Sequence, residues 1–181
     1  GSNRDSFFLI NDSLVLIGSY GGNQAGSDST LRNLECFKTI LSGDIDKDGI
    51  LDGENTPGLI RTTNVSDITT VDGFVIAFGY SEGFGPNVGG GWINHGIQPI
   101  YSNPTIKNCA FIKNHAKNGG GGMYNVGTCL PKIYNTIFSE NNVVLDGAAM
   151  YNYGENGGNN SSPLLVNCIF ANNHSNDRGG A

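Results

Sequence analysis

The segment Thr105-Ile-Lys-Asn-Cys-Ala-Phe-Ile-Lys-Asn114 recurs twice further along the chain without an internal gap. The later copies are Lys132-Ile-Tyr-Asn-Thr-Ile-Phe-Ser-Glu-Asn141 and Leu164-Leu-Val-Asn-Cys-Ile-Phe-Ala-Asn-Asn173. A degenerate earlier copy, Thr70-Val-Asp-Gly-Phe-Val-Ile-Ala-Phe-Gly79, has Gly73 in place of the first Asn. The starts of successive copies are 35, 27 and 32 residues apart. Self-similarity at such a period is the sequence pattern of a repeat protein.

A second motif follows each copy after a glycine-rich step. It reads Gly89-Gly-Gly-Trp-Ile-Asn94, Gly120-Gly-Gly-Met-Tyr-Asn125 and Gly147-Ala-Ala-Met-Tyr-Asn152, and a further copy begins at Arg178-Gly-Gly-Ala181. No stretch keeps a 3.6-residue apolar stripe for ten residues, because Gly or Asn interrupts each run. The repeats therefore predict short strands joined by regularly placed turns.

The composition of the whole chain supports this prediction. Among 181 residues there are 28 glycines and 24 asparagines, which tolerate turns and positive φ and are poor in helix interiors. A helical bundle is therefore excluded, and collagen is excluded by the lack of a three-residue glycine period. The net charge of −6 and the scattered basic residues argue against a nucleic-acid partner. No apolar run approaches the ~20 residues that span a membrane, so we expect no direct membrane insertion by this segment.

Each repeat has too few apolar residues to bury a face alone, so stacking of the repeats is expected, as in a solenoid. Stacking would align the equivalent residues of successive repeats into columns. We expect an interior column of Phe111, Phe138 and Phe170, a second of Cys109, Thr136 and Cys168, a third of Met123 and Met150, and a ladder of Asn108, Asn135 and Asn167 at a turn. Trp92 stands where later repeats have Met, so it is expected in the core or in a cap.

These motifs, with the early segment from Ser6 to Gly22, resemble the repeats of right-handed parallel β-helix proteins of bacterial cell surfaces. That group has the pectin-lyase-like fold and includes polymorphic outer-membrane proteins and Bacteroidetes-type exported proteins. The resemblance implies an all-β solenoid with an N-terminal cap and about five to six rungs. Residues 1–60 would form the cap and first coils, and residues 61–181 the regular coils. We expect a fragment of a longer protein, truncated at its C-terminal end.

The segment from Asp44 to Asn55 carries the clearest chemical signal. Calcium prefers six to eight oxygen ligands from a tightly wound loop, and alternating acidic residues with a turn glycine supply them. Position 12 of this loop holds Asn where an EF-hand has Glu. The expected Ca²⁺ ligands are Asp44, Asp46, Asp48, the Ile50 carbonyl, Asp52, and Glu54 or Asn55. The alternative is an acidic, solvated turn whose Asp side chains cap backbone N–H groups.

No catalytic residue is predicted. Lyases of the resembling fold place acidic calcium ligands on adjacent rungs beside a basic residue, which a contiguous loop does not match. The arginines Arg4, Arg32, Arg61 and Arg178 are expected to lie away from any acidic cluster of the repeats, and Asp72 and Asp146 form no evident pair. The histidines His95, His115 and His174 are expected to be exposed turn residues. Nothing in the spacing of the four cysteines indicates a disulfide or a zinc site.

The expected function is a non-catalytic, secreted or cell-surface module for adhesion, display or extracellular scaffolding. Its partners would be a glycan or cell-surface ligand and further β-helix coils of its own parent chain. The alternative is a β-helix that binds or cleaves acidic polysaccharide, with part of the set Tyr124, Tyr134, Tyr151 and Tyr153 lining the binding face. A further alternative is a fragment that serves assembly or export, with a partner chain on its C-terminal rung.

Overall fold

A computed structural model describes residues 7–22, 31–83, 87–154 and 160–180. Within them the chain forms strands and turns and no helix. The strands are β1 (Phe8–Ile10), β2 (Val15–Ile17), β3 (Thr39–Ser42), β4 (Ile60–Thr63), β5 (Thr70–Asp72), β6 (Phe74–Ala77), β7 (Tyr80–Ser81), β8 (Trp92–Gly96), β9 (Thr105–Lys107), β10 (Ala110–Ile112), β11 (His115–Ala116), β12 (Met123–Gly127), β13 (Lys132–Tyr134), β14 (Ile137–Ser139), β15 (Asn142–Val143), β16 (Met150–Tyr153), β17 (Leu164–Val166), β18 (Ile169–Ala171) and β19 (His174–Ser175). None of the described segments forms a helix with the length and hydropathy needed to cross a membrane.

The strands assemble into four parallel sheets, each stacked in chain order. Sheet 1 is β1-β4-β8-β12-β16, sheet 2 is β2-β5-β9-β13-β17, sheet 3 is β3-β6-β10-β14-β18 and sheet 4 is β7-β11-β15-β19. Five successive passes of the chain through the sheets are called rungs here. Rung 1 contains β1–β3, rung 2 β4–β7, rung 3 β8–β11, rung 4 β12–β15 and rung 5 β16–β19. The expectation of an all-β chain with stacked parallel strands is confirmed.

The repeats stack in the register that the sequence alignment predicts. Phe111 pairs with Phe138, which pairs with Phe170, and their rings stack with centroids 4.7 and 5.1 Å apart. In sheet 1, Trp92, Met123 and Met150 form one column, and Trp92 is fully buried. The predicted Phe and Met columns and the core position of Trp92 are therefore confirmed.

Glycine in the second motif allows the rungs to approach each other closely. A Cβ atom on Gly122 would lie 2.5 Å from the carbonyl oxygen of Ala149, the equivalent residue of the next rung. No side chain fits at that distance without a backbone shift, so the glycine-rich step leaves room for the next rung.

Two of the four free cysteines are buried. Burial raises the pKa of the Cys109 and Cys129 thiols to about 11, which keeps both protonated at neutral pH. Both thiols lie close to backbone carbonyl oxygens, Cys109 to Lys107 and Cys129 to Val126. Cys109 acts as a small interior residue, as expected from the alternation of Cys and Thr in the repeat, and Cys129 does the same outside that repeat.

Candidate functional site

The acidic segment forms a loop that leaves the stacked sheets after Gly43 and returns to them at Thr56. The Thr56 amide donates to the Gly43 carbonyl at 2.9 Å, which closes the base of the loop. The carboxylate oxygens of Asp44, Asp46 and Asp48 lie within 4.8 Å of one another. Among the described residues, these three side chains are the ones brought together in a geometry that a single cation could bridge.

Backbone amides of the loop occupy some of these carboxylate oxygens. Asp44 Oδ2 accepts from Gly49 N at 3.1 Å, and Asp48 Oδ1 accepts from Ile50 N at 2.7 Å. The other oxygen of Asp44, Oδ1, is buried and receives no hydrogen bond within the described part of the chain. A buried carboxylate oxygen without a donor is costly, and a bound cation would remove that cost.

The crowding of the three carboxylates also changes the titration of Asp46. Partial desolvation, the charge of Asp48 and the carboxyl group of Asp44 together raise the pKa of Asp46 above its usual value of 3.8. Like charges in one small loop disfavour the ionised form. The loop therefore holds negative charge at an electrostatic cost.

The remaining predicted ligands lie outside this group of three carboxylates. Asp52 Oδ1 accepts from the Glu54 amide at 2.8 Å and so caps a turn. Asn55 is buried, and its Nδ2 donates to the carbonyls of Ile50 at 3.1 Å and Phe78 at 3.0 Å. Asn55 thus anchors the loop to rung 2 and holds the Ile50 carbonyl.

A second polar cluster lies at the corner between sheets 2 and 3. Asp72 is almost fully buried and accepts hydrogen bonds from Arg32 and, at 2.8 Å, from Asn108 Nδ2, while Lys107 Nζ lies 3.5 Å away. Burial alone would raise the pKa of Asp72, but the bonds and charges of these partners outweigh it and hold the pKa below 3.8. Arg32 reaches this single carboxylate from a segment 40 residues earlier in the chain, a contact that the repeat pattern did not predict.

The histidines of sheet 4 differ in exposure, although His115, Asn142 and His174 share one column as expected. His115 is buried, which corrects the prediction of an exposed turn residue. Its ring stacks on Tyr80 with centroids 4.6 Å apart, and its Nε2 lies 2.9 Å from Glu82 Oε2. Both partners come from the preceding rung, so the burial of His115 depends on the neighbours that stacking supplies.

The outer surface of sheet 1 carries a cluster of tyrosines. The rings of Tyr124 and Tyr151 are near-parallel with centroids 5.7 Å apart, and Tyr153 lies 6.4 Å from Tyr151. Tyr134 belongs to sheet 2 and is separate from this cluster. In the same column Arg61 stacks on Phe7, with its guanidinium carbon 4.2 Å from the ring centroid, and desolvation lowers its pKa.

Asparagine side chains form three ladders along the rungs. At the corner between sheets 2 and 3, Asn167 donates to Asn135 at 2.8 Å and Asn135 to Asn108 at 3.2 Å, which confirms the predicted ladder. Two further ladders were not predicted. They are Asn94–Asn125–Asn152 inside sheet 1 and Asn114–Asn141–Asn173 at the turn between sheets 3 and 4. The sequence does contain their signal, since both sets recur at fixed positions of the repeat.

In comparisons with known proteins, no family model matches the chain, and neither does any curated protein or solved structure.

Proposed function

We propose that this chain is a right-handed parallel β-helix module that acts without catalysis, outside a bacterial cell or at its surface. Its role would be adhesion, display or scaffolding. The observation that carries the proposal is the contrast between the two faces of sheet 1. Inward positions repeat from rung to rung, as in Asn94, Asn125 and Asn152, whereas the outward column of His95, Val126 and Tyr153 has a different residue in each rung. A constant interior with a varied exterior suits a rigid scaffold that presents a binding surface.

Two measurements on the purified chain test this role. Beads coated with the chain should bind a surface glycan or a cell-surface extract, and the chain should release no unsaturated product from uronic-acid polymers in the presence of calcium. Release of such a product would overturn the non-catalytic role. Absence of binding to every surface would overturn the adhesive role.

Calcium in the acidic loop is the second part of the proposal. The clustered oxygens of Asp44, Asp46 and Asp48, the donor-free Asp44 Oδ1 and the raised pKa of Asp46 all favour an oxygen-seeking cation. A bound ion would hold together the first half of the loop, whereas Asn55 holds the Ile50 carbonyl and the contact with Phe78. Calcium is plentiful outside cells, which agrees with the proposed location.

Calcium should raise the midpoint of thermal unfolding of the chelator-treated chain by several degrees. The reason is mass action, since a ligand at a hundredfold excess over its Kd stabilises the folded state by about 2.7 kcal/mol. Asp46→Asn should abolish the rise, measured by circular dichroism with and without calcium. Asp67→Asn, in a different exposed loop, is the control and should keep it. An unchanged midpoint in the unsubstituted chain would refute the calcium site.

Carbohydrate binding on sheet 1 is the second candidate function, and the tyrosine cluster favours it. Tyrosine rings offer an apolar face and a polar hydroxyl, which suits a sugar ring. Tyr151→Ala should weaken binding to any glycan found on an array by about tenfold, or 1.4 kcal/mol. Tyr134→Ala, on sheet 2, should leave the affinity unchanged. Equal losses for both variants would count against a site on sheet 1.

A further inference from the structure

Arg61 is a cation to which the described part of the chain offers no anion. It lies on the outward face of β4 in sheet 1, where its guanidinium stacks on the ring of Phe7. Its Nε is buried and meets no hydrogen-bond acceptor among the described residues, and the ion pairs within them all involve other cations. A partly desolvated guanidinium without an acceptor is costly, and an external anion would remove that cost.

Arg61 shares a column of outward residues in sheet 1 with the tyrosine cluster. Ile93, Tyr124 and Tyr151 follow it, one in each successive rung. Neighbouring strands lie about 4.8 Å apart, so the first tyrosine is roughly 10 Å from Arg61 along the column. The turn before β12 leaves room for both rings, because a Cβ atom on Gly119 would lie 3.1 Å from Tyr151 and 3.4 Å from Tyr124. The column therefore joins a cation to an aromatic platform.

The charges beside this column are unevenly distributed. The neighbouring outward column of sheet 1 contains no carboxylate and consists of Thr63, His95, Val126 and Tyr153. Asp146 lies beside Tyr151, with which it lines a cavity that Arg178 also borders. Asp146 Oδ1 is buried and receives no hydrogen bond from any described residue. A carboxylate at this place disfavours a second negative group beside Tyr151 and can accept hydrogen bonds from hydroxyl groups.

We propose that the outward face of sheet 1 binds an anionic glycan that crosses its strands, with a carboxylate or sulfate on Arg61 and sugar rings on Tyr124 and Tyr151. This inference rests on carbohydrate binding, the second candidate function above, and names the class of glycan. The planar guanidinium of Arg61 can hold either anion through two parallel hydrogen bonds. A sugar hydroxyl on Asp146 would complete the contact at the other end, so the ligand has a defined direction.

The distribution of charge also limits how many anionic groups the glycan carries. Nucleic acids and anionic lipid surfaces have a charge at almost every unit and are bound by several basic residues together. This column has one arginine, Asp146 lies at its far end, and the chain as a whole has a net charge of −6. A glycan with an anionic group on alternate sugars, and a neutral sugar beside Asp146, matches this face better than a uniformly charged polymer.

Matched pairs of oligosaccharides test the charge of the ligand. Hyaluronan and chondroitin sulfate octasaccharides alternate charged uronate sugars with amino sugars, and chondroitin carries sulfate in addition, so the two probes compare a carboxylate with a sulfate. At least one should bind the chain in isothermal titration calorimetry. Methyl esterification removes the carboxylate charge of hyaluronan, and desulfation removes the sulfate of chondroitin. The loss of the group that Arg61 holds should weaken binding about tenfold, as expected for a hydrogen-bonded charge pair.

Substitution of Arg61 tests the position of the anion. Arg61→Met keeps an unbranched stem on Phe7 and should weaken binding of the charged octasaccharide about tenfold, while binding of the uncharged form stays the same. Lys132→Met, on sheet 2, removes the same charge from the chain and should keep the affinity. Far-UV circular dichroism checks that both variants keep their strands. Arg61→Lys retains the charge without the planar fork and should give an intermediate affinity, which decides the case where Arg61→Met does not fold.

The outcomes separate this inference from the function on which it rests. Equal affinity for charged and uncharged octasaccharides would overturn the anionic class and leave carbohydrate binding intact, whereas binding of neither form would remove both. Equal losses in Arg61→Met and Lys132→Met would overturn the site, because they would indicate a general effect of charge. Binding to phosphatidylserine vesicles that requires Arg61, without binding to either octasaccharide, would assign the face to a lipid surface instead.

Discussion

In rungs 3 to 5 the corner between sheets 2 and 3 is closed by Asn108, Asn135 and Asn167, whereas in rung 2 the same position holds Gly73. All four residues have positive φ, so the backbone makes the same turn in each rung. The difference lies in the side chains. In the later rungs each Asn bonds to the Asn of the next rung, whereas in rung 2 the space beside Gly73 is filled by Arg32.

This comparison shows two ways to close one turn. The Asn corner is supported by its own repeat, because each rung brings its own amide. The Gly73 corner depends on residues 31–38, which lie across it and deliver Arg32 to Asp72. Rungs 3 to 5 therefore close this corner with residues of their own repeat. Rung 2 instead needs Arg32, which lies 40 residues before Asp72 in the chain.

The largest expected effect comes from Gly73→Ala. A Cβ atom there would lie 2.6 Å from Arg32 Nη2 and 3.2 Å from Ser19 Oγ, at a φ of +82°. We expect a loss of about 3 kcal/mol in the free energy of unfolding, from crowding and left-handed strain together. Urea unfolding measures it.

The control for Gly73→Ala is Gly83→Ala, which has a similar φ of +85° and no atom within 4 Å of the added Cβ. It should lose only about 1 kcal/mol, the cost of the left-handed backbone. Equal losses of unfolding free energy in the two variants would show that a side chain at position 73 does not crowd Arg32.

Asp72→Asn should have the next largest effect, about 2 kcal/mol, because Arg32 and Lys107 lose a buried charged acceptor. The loss should also depend on pH. The folded-state pKa of Asp72 lies below 3.8, so its carboxylate contributes stability above that pH, and the contribution disappears as the pH falls through the folded value. The difference between the two chains should therefore shrink in urea unfolding at acid pH.

The matched control for Asp72→Asn is Asp67→Asn, whose exposed carboxylate pairs with Lys132. Solvent screens that pair, so its removal should shift the urea midpoint less. A pH-independent difference for Asp72→Asn would speak against the ionised state assigned to Asp72.

Asn135→Gly should have the smallest effect of the three, about 1 kcal/mol. The variant has Gly in rung 4 at the position where rung 2 has Gly73, so the backbone turn is kept. Its two hydrogen bonds to Asn108 and Asn167 are lost, and no arginine replaces them. Glu140→Gly is the control, because it also has positive φ in rung 4 but belongs to no ladder. If both changes were neutral in urea unfolding, the corner ladder would contribute nothing to stability.

The parts of the structure that recur in the sequence could be predicted from it. The Phe column, the core position of Trp92 and the ladder of Asn108, Asn135 and Asn167 all follow from aligning the repeats, since stacking converts equal positions into neighbours. The acidic loop was predictable for a related reason. Its carboxylates are close in sequence, and Asp44, Asp46 and Asp48 do come together.

Contacts between unlike segments could not be predicted in this way. Arg32 and Asp72 are 40 residues apart and belong to no common motif. The burial of His115 depends on Tyr80 and Glu82, which stand in the degenerate rung where the alignment is weakest. The interior ladder of Asn94, Asn125 and Asn152 does join equivalent positions of the repeat, but alternation alone does not tell which face of sheet 1 points inward, and so the ladder was not predicted.

The identity of Asp72 has a consequence for side chains several rungs away. A carboxylate can only accept, so Asn108 must turn its NH₂ group toward Asp72 and leave its oxygen for Asn135. Asn135 then has to present its own oxygen to Asn167. Each side-chain amide of this Asn ladder could adopt two orientations if it stood alone. The ionised carboxylate of Asp72 selects the same one of the two for all of them.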